Sequence, residues 1–226
     1  MSLIRTLKVL IYTLSESNKI ISKMAKEGSH QFFDAGKHWA KKLLQKASIE
    51  VNIIGENYDK NKSYIIVANH SSYLDIPVLL AYLDLKFVIM YKKELEKIPI
   101  FGKGLELSPF ISVIRTNPRD AIKSLEKANQ MLKENISVLV FPEGTRTSDG
   151  SLGEFKKGAT RIAYKGKAEI LPVRIDGTFD LMPKNQLSIK SGKITLKINK
   201  SISYSEYESK SEEELLLELK DVVSII

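Results

Sequence analysis

The chain has 226 residues, with 35 Lys and Arg against 27 Asp and Glu, three His and no Cys. That length can bury a sizeable core, as one main domain with a modest appendage. The missing cysteines exclude disulfides, thiolate catalysis and Cys-ligated zinc, and three histidines without a His-Glu-x-x-His give no reason to expect a metal.

The formal charge of +8 is uneven. Residues 1–47 carry nine Lys or Arg against three acids, whereas residues 206–226 carry seven acids against Lys210 and Lys220. Within 2–14, Leu3, Ile4, Leu7, Leu10, Ile11 and Leu14 fall at helical spacing around Arg5 and Lys8. No window of about 18 apolar residues exists to span a bilayer, and no secretory signal is evident. A second helical pattern runs over 17–47 through Ile20, Ile21, Met24, Phe32, Trp39, Leu43 and Leu44, with Gly28 as the point where it breaks. Together they predict an amphipathic helical hairpin over residues 1–47, apart from a main domain over 48–226. Such a face suits an anionic membrane surface, gaining from apolar burial and roughly 1 kcal/mol per nearby Lys or Arg. An ordinary amphipathic pair packed on the core fits the same pattern. Nucleic acid is not an expected partner, since no aromatic strand platform or recognisable module accompanies the charge.

Beyond Ala47 the apolar patterns alternate between strand and helix. Strands are predicted over 49–54, 64–68, 86–91, 110–115, 137–141, 169–175 and 193–198, and helices over 76–83, 118–134, 154–165 and 212–223. Asn117-Pro118 supplies an N-cap and a first-position proline for the longest of these helices, and Ser211 with Glu214 a capping box for the last. The fold class is α/β, with a mostly parallel or mixed sheet flanked by helices. Gly102-Lys103-Gly104 lacks the third glycine of a nucleotide loop, because Leu107 stands there.

Chemistry concentrates where apolar runs end. Residues 64–68 run into Asn69-His70-Ser71-Ser72-Tyr73-Leu74-Asp75. A short turn would fold the Asp75 carboxylate onto the His70 imidazole, fixing the tautomer and leaving Nε2 to take a proton from a hydroxyl. This is half of a hydrolase triad. No Gly-x-Ser-x-Gly elbow supplies the other half, so a substrate hydroxyl is the expected nucleophile. The run over 137–141 leads into Phe141-Pro142-Glu143-Gly144-Thr145-Arg146, in which glycine permits close backbone approach and arginine offers a donor fork suited to phosphate. Glu143 reads as accepting from a substrate hydroxyl or pairing with Arg146.

The first motif resembles the His-x4-Asp signature of the glycerolipid acyltransferases, and the second matches that family's other hallmark letter for letter, in the right order and about 70 residues on. The nearest branch is that of the 1-acyl-sn-glycerol-3-phosphate (lysophosphatidic acid) acyltransferases. The resemblance implies His70 and Asp75 as the catalytic pair, and Glu143, Gly144, Thr145 and Arg146 as binders of the glycerol phosphate acceptor. Lys92-Lys93-Glu94-Leu95 resembles the family's Lys-x-Glu-Leu block and implies Lys92. Phe110-Ile111-Ser112-Val113-Ile114-Arg115 resembles its arginine-ended strand and implies Arg115, although Pro109 stands where the family has glycine. Ile170-Leu171-Pro172-Val173 resembles a fourth, apolar block, and serves equally as a core strand. The implied reaction moves an acyl group from acyl-CoA or acyl-carrier protein, as co-substrate and without a cofactor, to the sn-2 hydroxyl of lysophosphatidic acid. The implied location is the cytoplasmic face of the cell membrane, as a peripheral or monotopic protein. Glycerol 3-phosphate or another lysophospholipid as acceptor, and a non-catalytic lipid-binding protein, are the alternatives.

Overall fold

The computed structural model describes residues 2–114 and 118–225. The chain opens with one continuous helix, α1 (Ser2–Glu27), followed by a 3-10 turn (Ser29–Gln31) and α2 (Phe32–Lys46). Gly28 makes the break: its φ of 101° is backbone that an L side chain rarely adopts. The predicted hairpin therefore forms, and its first helix is a single element running well past residue 14.

There follow β1 (Ile49–Gly55), β2 (Ile65–Ala68), α3 (Asp75–Tyr82), β3 (Phe87–Lys92), α4 (Phe101–Leu107), β4 (Ile111–Val113), α5 (Pro118–Lys133), β5 (Ser137–Val140) and α6 (Gly158–Gly166). The chain closes with β6 (Ile170–Asp176), α7 (Thr178–Leu181), β7 (Gly192–Ile198), α8 (Tyr204–Tyr207) and α9 (Glu212–Ser224). Among the described residues the sheet has the order β1-β7-β6-β2-β5-β3-β4. The strands β6, β2, β5, β3 and β4 are mutually parallel, whereas β7 runs antiparallel to β6 and carries β1 parallel to itself. The sheet is mixed, and its parallel block sends five carboxyl ends to one edge.

β2 is the central strand of the seven, flanked on both sides by parallel neighbours, with Ile65, Ile66, Val67 and Ala68 all fully buried. Burial on both faces is what a parallel strand with helices above and below requires, and it explains an uninterrupted apolar run where alternation would mark a half-exposed strand. Burying each of the Ile and Val side chains stabilises the fold by ~1.5–3 kcal/mol. α5 packs on β4 and β5, α6 and α9 lie against β2, and α2 packs against α3 and β1. Ala40, Leu43 and Leu44 of α2 belong to the same core as β2.

The Ser211–Glu214 capping box is present in both directions, at 2.7 Å and 3.2 Å. The helix expected over 154–165 begins only at Gly158. The predicted cap at Asn117 lies outside the described residues. Gly102 and Gly104 fall within α4, and a Cβ on Gly102 would stand 1.9 Å from the Glu96 carbonyl oxygen, so close helix packing accounts for this glycine.

Candidate active site

Three features bend the chain sharply after β2 and bring Asp75 back under His70. Asn69 continues the strand pairing with its side chain: Oδ1 accepts from the Ile175 amide at 2.7 Å and Nδ2 donates to the Ile175 carbonyl at 2.8 Å. The next residues turn, and Asp75 opens α3 fully buried. Its Oδ2 accepts from the Ser71 and Ser72 amides at 2.7 Å and 2.8 Å, so the carboxylate closes its own turn as well as facing the imidazole. Oδ1 of Asp75 is buried without a hydrogen-bond partner among the described residues.

His70 Nδ1 lies 2.8 Å from Asp75 Oδ2. A carboxylate acceptor there places the proton on Nδ1 and the lone pair on Nε2, which is the form a general base needs. The ring is stacked on Phe141, with centroids 4.0 Å apart and planes 14° from parallel. Neither neighbouring serine completes a triad. Ser72 Oγ donates to the Met182 carbonyl at 2.6 Å, and Ser71 Oγ accepts from Asn69 Nδ2 at 3.3 Å.

The segment after β5 reaches the same edge. Phe141 to Gly144 form a turn closed by the Gly144 amide on the Phe141 carbonyl, with Gly144 at φ 72°. Glu143 faces inward, 6% exposed, with Oε1 accepting from the His70 amide at 2.6 Å and Oε2 from the Gly153 amide at 2.9 Å. It forms no ion pair with Arg146, as both carboxylate oxygens are taken up by backbone. Burial, the largest cause, pushes its carboxyl above the usual range, against the two backbone bonds that lower it.

Arg146 extends outward and lays its guanidinium 3.4 Å from the centre of the Tyr73 ring, with Nη1 donating to the Lys184 carbonyl at 3.5 Å. Lys184 Nζ in turn donates to Thr145 Oγ1 at 3.3 Å. Tyr73 and Lys184 are additions that sequence reasoning missed. Tyr73 stood inside the first motif, but only the fold shows that it meets the second. Among the described residues neither Arg146 nor Lys184 is in an ion pair with a carboxylate, so this corner of the edge is electropositive.

Lys92 ends β3, more than half exposed, with Nζ 3.8 Å from Glu94 Oε1. β3 is separated from β2 by β5 alone, on the order of 10 Å at ordinary strand spacing. Arg115, implied by the resemblance, lies outside the described residues. Pro109 sits between α4 and β4, where Ser108 Oγ donates to the Leu105 carbonyl and accepts from the Phe110 amide.

Beside α3, starting at the residue after Asp75, is an apolar cavity of about 210 Å³. Ile20, Ile21 and Met24 of α1, Trp39 of α2, Ile89 of β3 and Phe110 line it.

The site therefore joins a histidine–carboxylate pair with no serine or threonine on Nε2 among the described residues, two cations outside any ion pair among those residues, and an apolar cavity beside α3. The family model described as Acyltransferase matches residues 50–176, more than half of the chain, and the chain belongs to that family. It is similar to the chloroplastic 1-acyl-sn-glycerol-3-phosphate acyltransferase LPAT1 of Arabidopsis thaliana, 36% identical over 172 residues, covering 73% of this chain and 48% of the relative. The 1-acyl-sn-glycerol-3-phosphate acyltransferase of Saccharomyces cerevisiae is 35% identical over 158 residues, covering 69% and 52%. The chain thus spans about half the length of these curated relatives. The crystal structure of the 1-acyl-sn-glycerophosphate (LPA) acyltransferase PlsC from Thermotoga maritima superposes with a TM-score of 0.77 at 28% identity, over 99% of this chain and 95% of that one.

Proposed function

We propose that the protein transfers a fatty acyl group from an acyl thioester, acyl-CoA or acyl-carrier protein, to the sn-2 hydroxyl of lysophosphatidic acid, giving phosphatidic acid. The observation that carries this is His70, held by Asp75 at 2.8 Å with no serine, threonine or cysteine on Nε2 among the described residues. A base in that position acts on a hydroxyl brought by the substrate.

In the proposed step Nε2 removes the hydroxyl proton, and the oxygen attacks the thioester carbonyl. The tetrahedral oxyanion, stabilised by backbone N–H groups near one of the two motifs, collapses with loss of the thiolate, which takes the proton back from the imidazolium. As written, the step needs neither metal nor cofactor. The acceptor phosphate, carrying about −1.5 to −2, is met by Arg146, Lys92 and Arg115, with Gly144 and Thr145 shaping the turn that presents Arg146. The acyl chain occupies the apolar cavity beside α3.

No helix among the described residues is long and apolar enough to cross a membrane. Leu3, Ile4, Leu7, Leu10, Ile11 and Leu14 of the first half of α1 are exposed nonetheless, from 44% at Leu14 to 80% at Leu3, whereas Val9 turns into the core. We assign this face to the cytoplasmic surface of the cell membrane, where the protein would meet its lipid as a peripheral or monotopic enzyme.

The test offers purified protein lysophosphatidic acid with each thioester in turn. Wild type is expected to form phosphatidic acid with at least one donor, and His70→Ala to lose ~10²-fold or more of that rate while still sedimenting with anionic vesicles. Absence of phosphatidic acid with both donors overturns the assignment. Turnover of glycerol 3-phosphate alone would move it to another acceptor.

A further inference from the structure

The segment 141–147 makes three separate contacts with His70. The Phe141 ring covers one face of the imidazole. The Glu143 carboxylate takes the His70 amide proton at 2.6 Å, and the Thr147 amide donates to the His70 carbonyl at 3.0 Å. With Asp75 on Nδ1, both backbone polar groups of His70, one ring edge and one ring face are fixed, and the Nε2 edge is left open.

Glu143 is the joint of this arrangement. Its second oxygen is bonded to the Gly153 amide, and a Cβ on residue 153 would stand 3.0 Å from that oxygen, so the loop after the turn is drawn against the carboxylate. At 6% exposed, with both oxygens engaged, it has little left to offer a glycerol hydroxyl. A carboxylate in such a place is held by charge-assisted bonds to backbone, roughly twice as strong as neutral ones.

We infer that Glu143 and Phe141 are positioning residues for His70, clamping the base by its amide and its ring face, and that Glu143 is not a ligand of the acceptor. The inference rests on the acyl-transfer activity proposed above. General-base transfer is sensitive to placement, and about 1 Å of error costs on the order of 10²-fold. The clamp therefore acts on the chemical step and leaves ground-state binding of the acceptor alone.

The experiment measures kcat and KM for lysophosphatidic acid in Glu143→Gln and Phe141→Leu. Glutamine keeps the shape but can accept from only one of the two amides, since its NH2 then faces the other. Leucine keeps bulk without the flat face. Both are expected to lower kcat by ~10-fold or more with KM within about twofold of wild type. A Glu143→Gln enzyme with unchanged kcat and a KM raised about tenfold makes Glu143 an acceptor ligand and overturns the inference. Wild-type kcat in folded Phe141→Leu overturns it equally, and decides the matter if Glu143→Gln fails to fold. Wild-type activity is measured alongside, so an inactive wild type counts against the proposed function and not against the clamp.

Discussion

Glu143 keeps a carboxyl group almost wholly out of water, and burial pushes its pKa above the ordinary 4.5. A group whose folded value lies above its unfolded value contributes stability that is fully present below the unfolded value. That contribution is lost as the pH rises through the folded one. Glutamine at the same position titrates nothing. The stability margin of wild type over Glu143→Gln, from urea unfolding, is therefore expected to narrow as the pH rises above the ordinary carboxyl value of 4.5. A margin that widens instead would show the backbone bonds to the carboxylate outweighing its desolvation.

At the level of elements, α8 serves chiefly to deliver Tyr207 to the end of α6. Its hydroxyl lies 2.6 Å from the Ala168 carbonyl and 3.1 Å from that of Ala163, with the residue fully buried between Tyr164 and Tyr204 in edge-on contacts. The donor serves the Ala168 carbonyl just past the helix end, while the Ala163 carbonyl also accepts from the Ala168 amide at 3.2 Å. Tyr207→Phe keeps the rings and removes the donor, so it is expected to lower unfolding free energy by about 1–3 kcal/mol in urea titration, with the slope unchanged. A change below about 0.5 kcal/mol would show the carbonyls finding other donors. The bond is not legible in the sequence; α8 is too short to show a period, and its one local signal is the Ser203–Glu206 capping box.

What could be read were elements whose burial is uniform or periodic: β2 as a run of four apolar residues, α2 and α9 by their spacing, and the Ser211 box by local chemistry. α4 escaped because Pro99, Gly102 and Gly104 look like a loop, and only the contact of Gly102 with the Glu96 carbonyl shows why a glycine serves in a helix there. The reversal of β7 depends on which edge of the sheet remains open, which no local pattern encodes. In the site, His70 and Asp75 are five residues apart, and their pairing was legible for that reason. The bonds from Glu143 to the His70 amide and from Lys184 to Thr145 join residues 73 and 39 apart, and only folding brings them together.

The whole molecule is asymmetric in charge and in apolar exposure, and both asymmetries meet at α1. Its first half shows leucine and isoleucine to solvent, while Thr6 Oγ1 accepts from the Ile189 amide at 2.9 Å and holds the helix start against the body. Leu7→Glu with Ile11→Glu alters exposed positions only and should leave folding stability within about 0.5 kcal/mol per site. Each side chain buried in a leaflet is worth ~1.5–3 kcal/mol, so flotation with anionic vesicles is expected to fall at least ~10-fold. Unchanged flotation would place the membrane contact elsewhere.

The second half of α1 has a different neighbour, for Ile20, Ile21 and Met24 form a wall of the apolar cavity. One rigid helix thus touches two candidate ligands at once, a leaflet at one end and an acyl chain at the other. Linkage then makes the effects reciprocal: whatever factor a long-chain thioester applies to vesicle affinity, the vesicle applies to thioester affinity. The same flotation assay, run with and without thioester, measures that factor, and a factor above one would make the bilayer an effector of the proposed reaction.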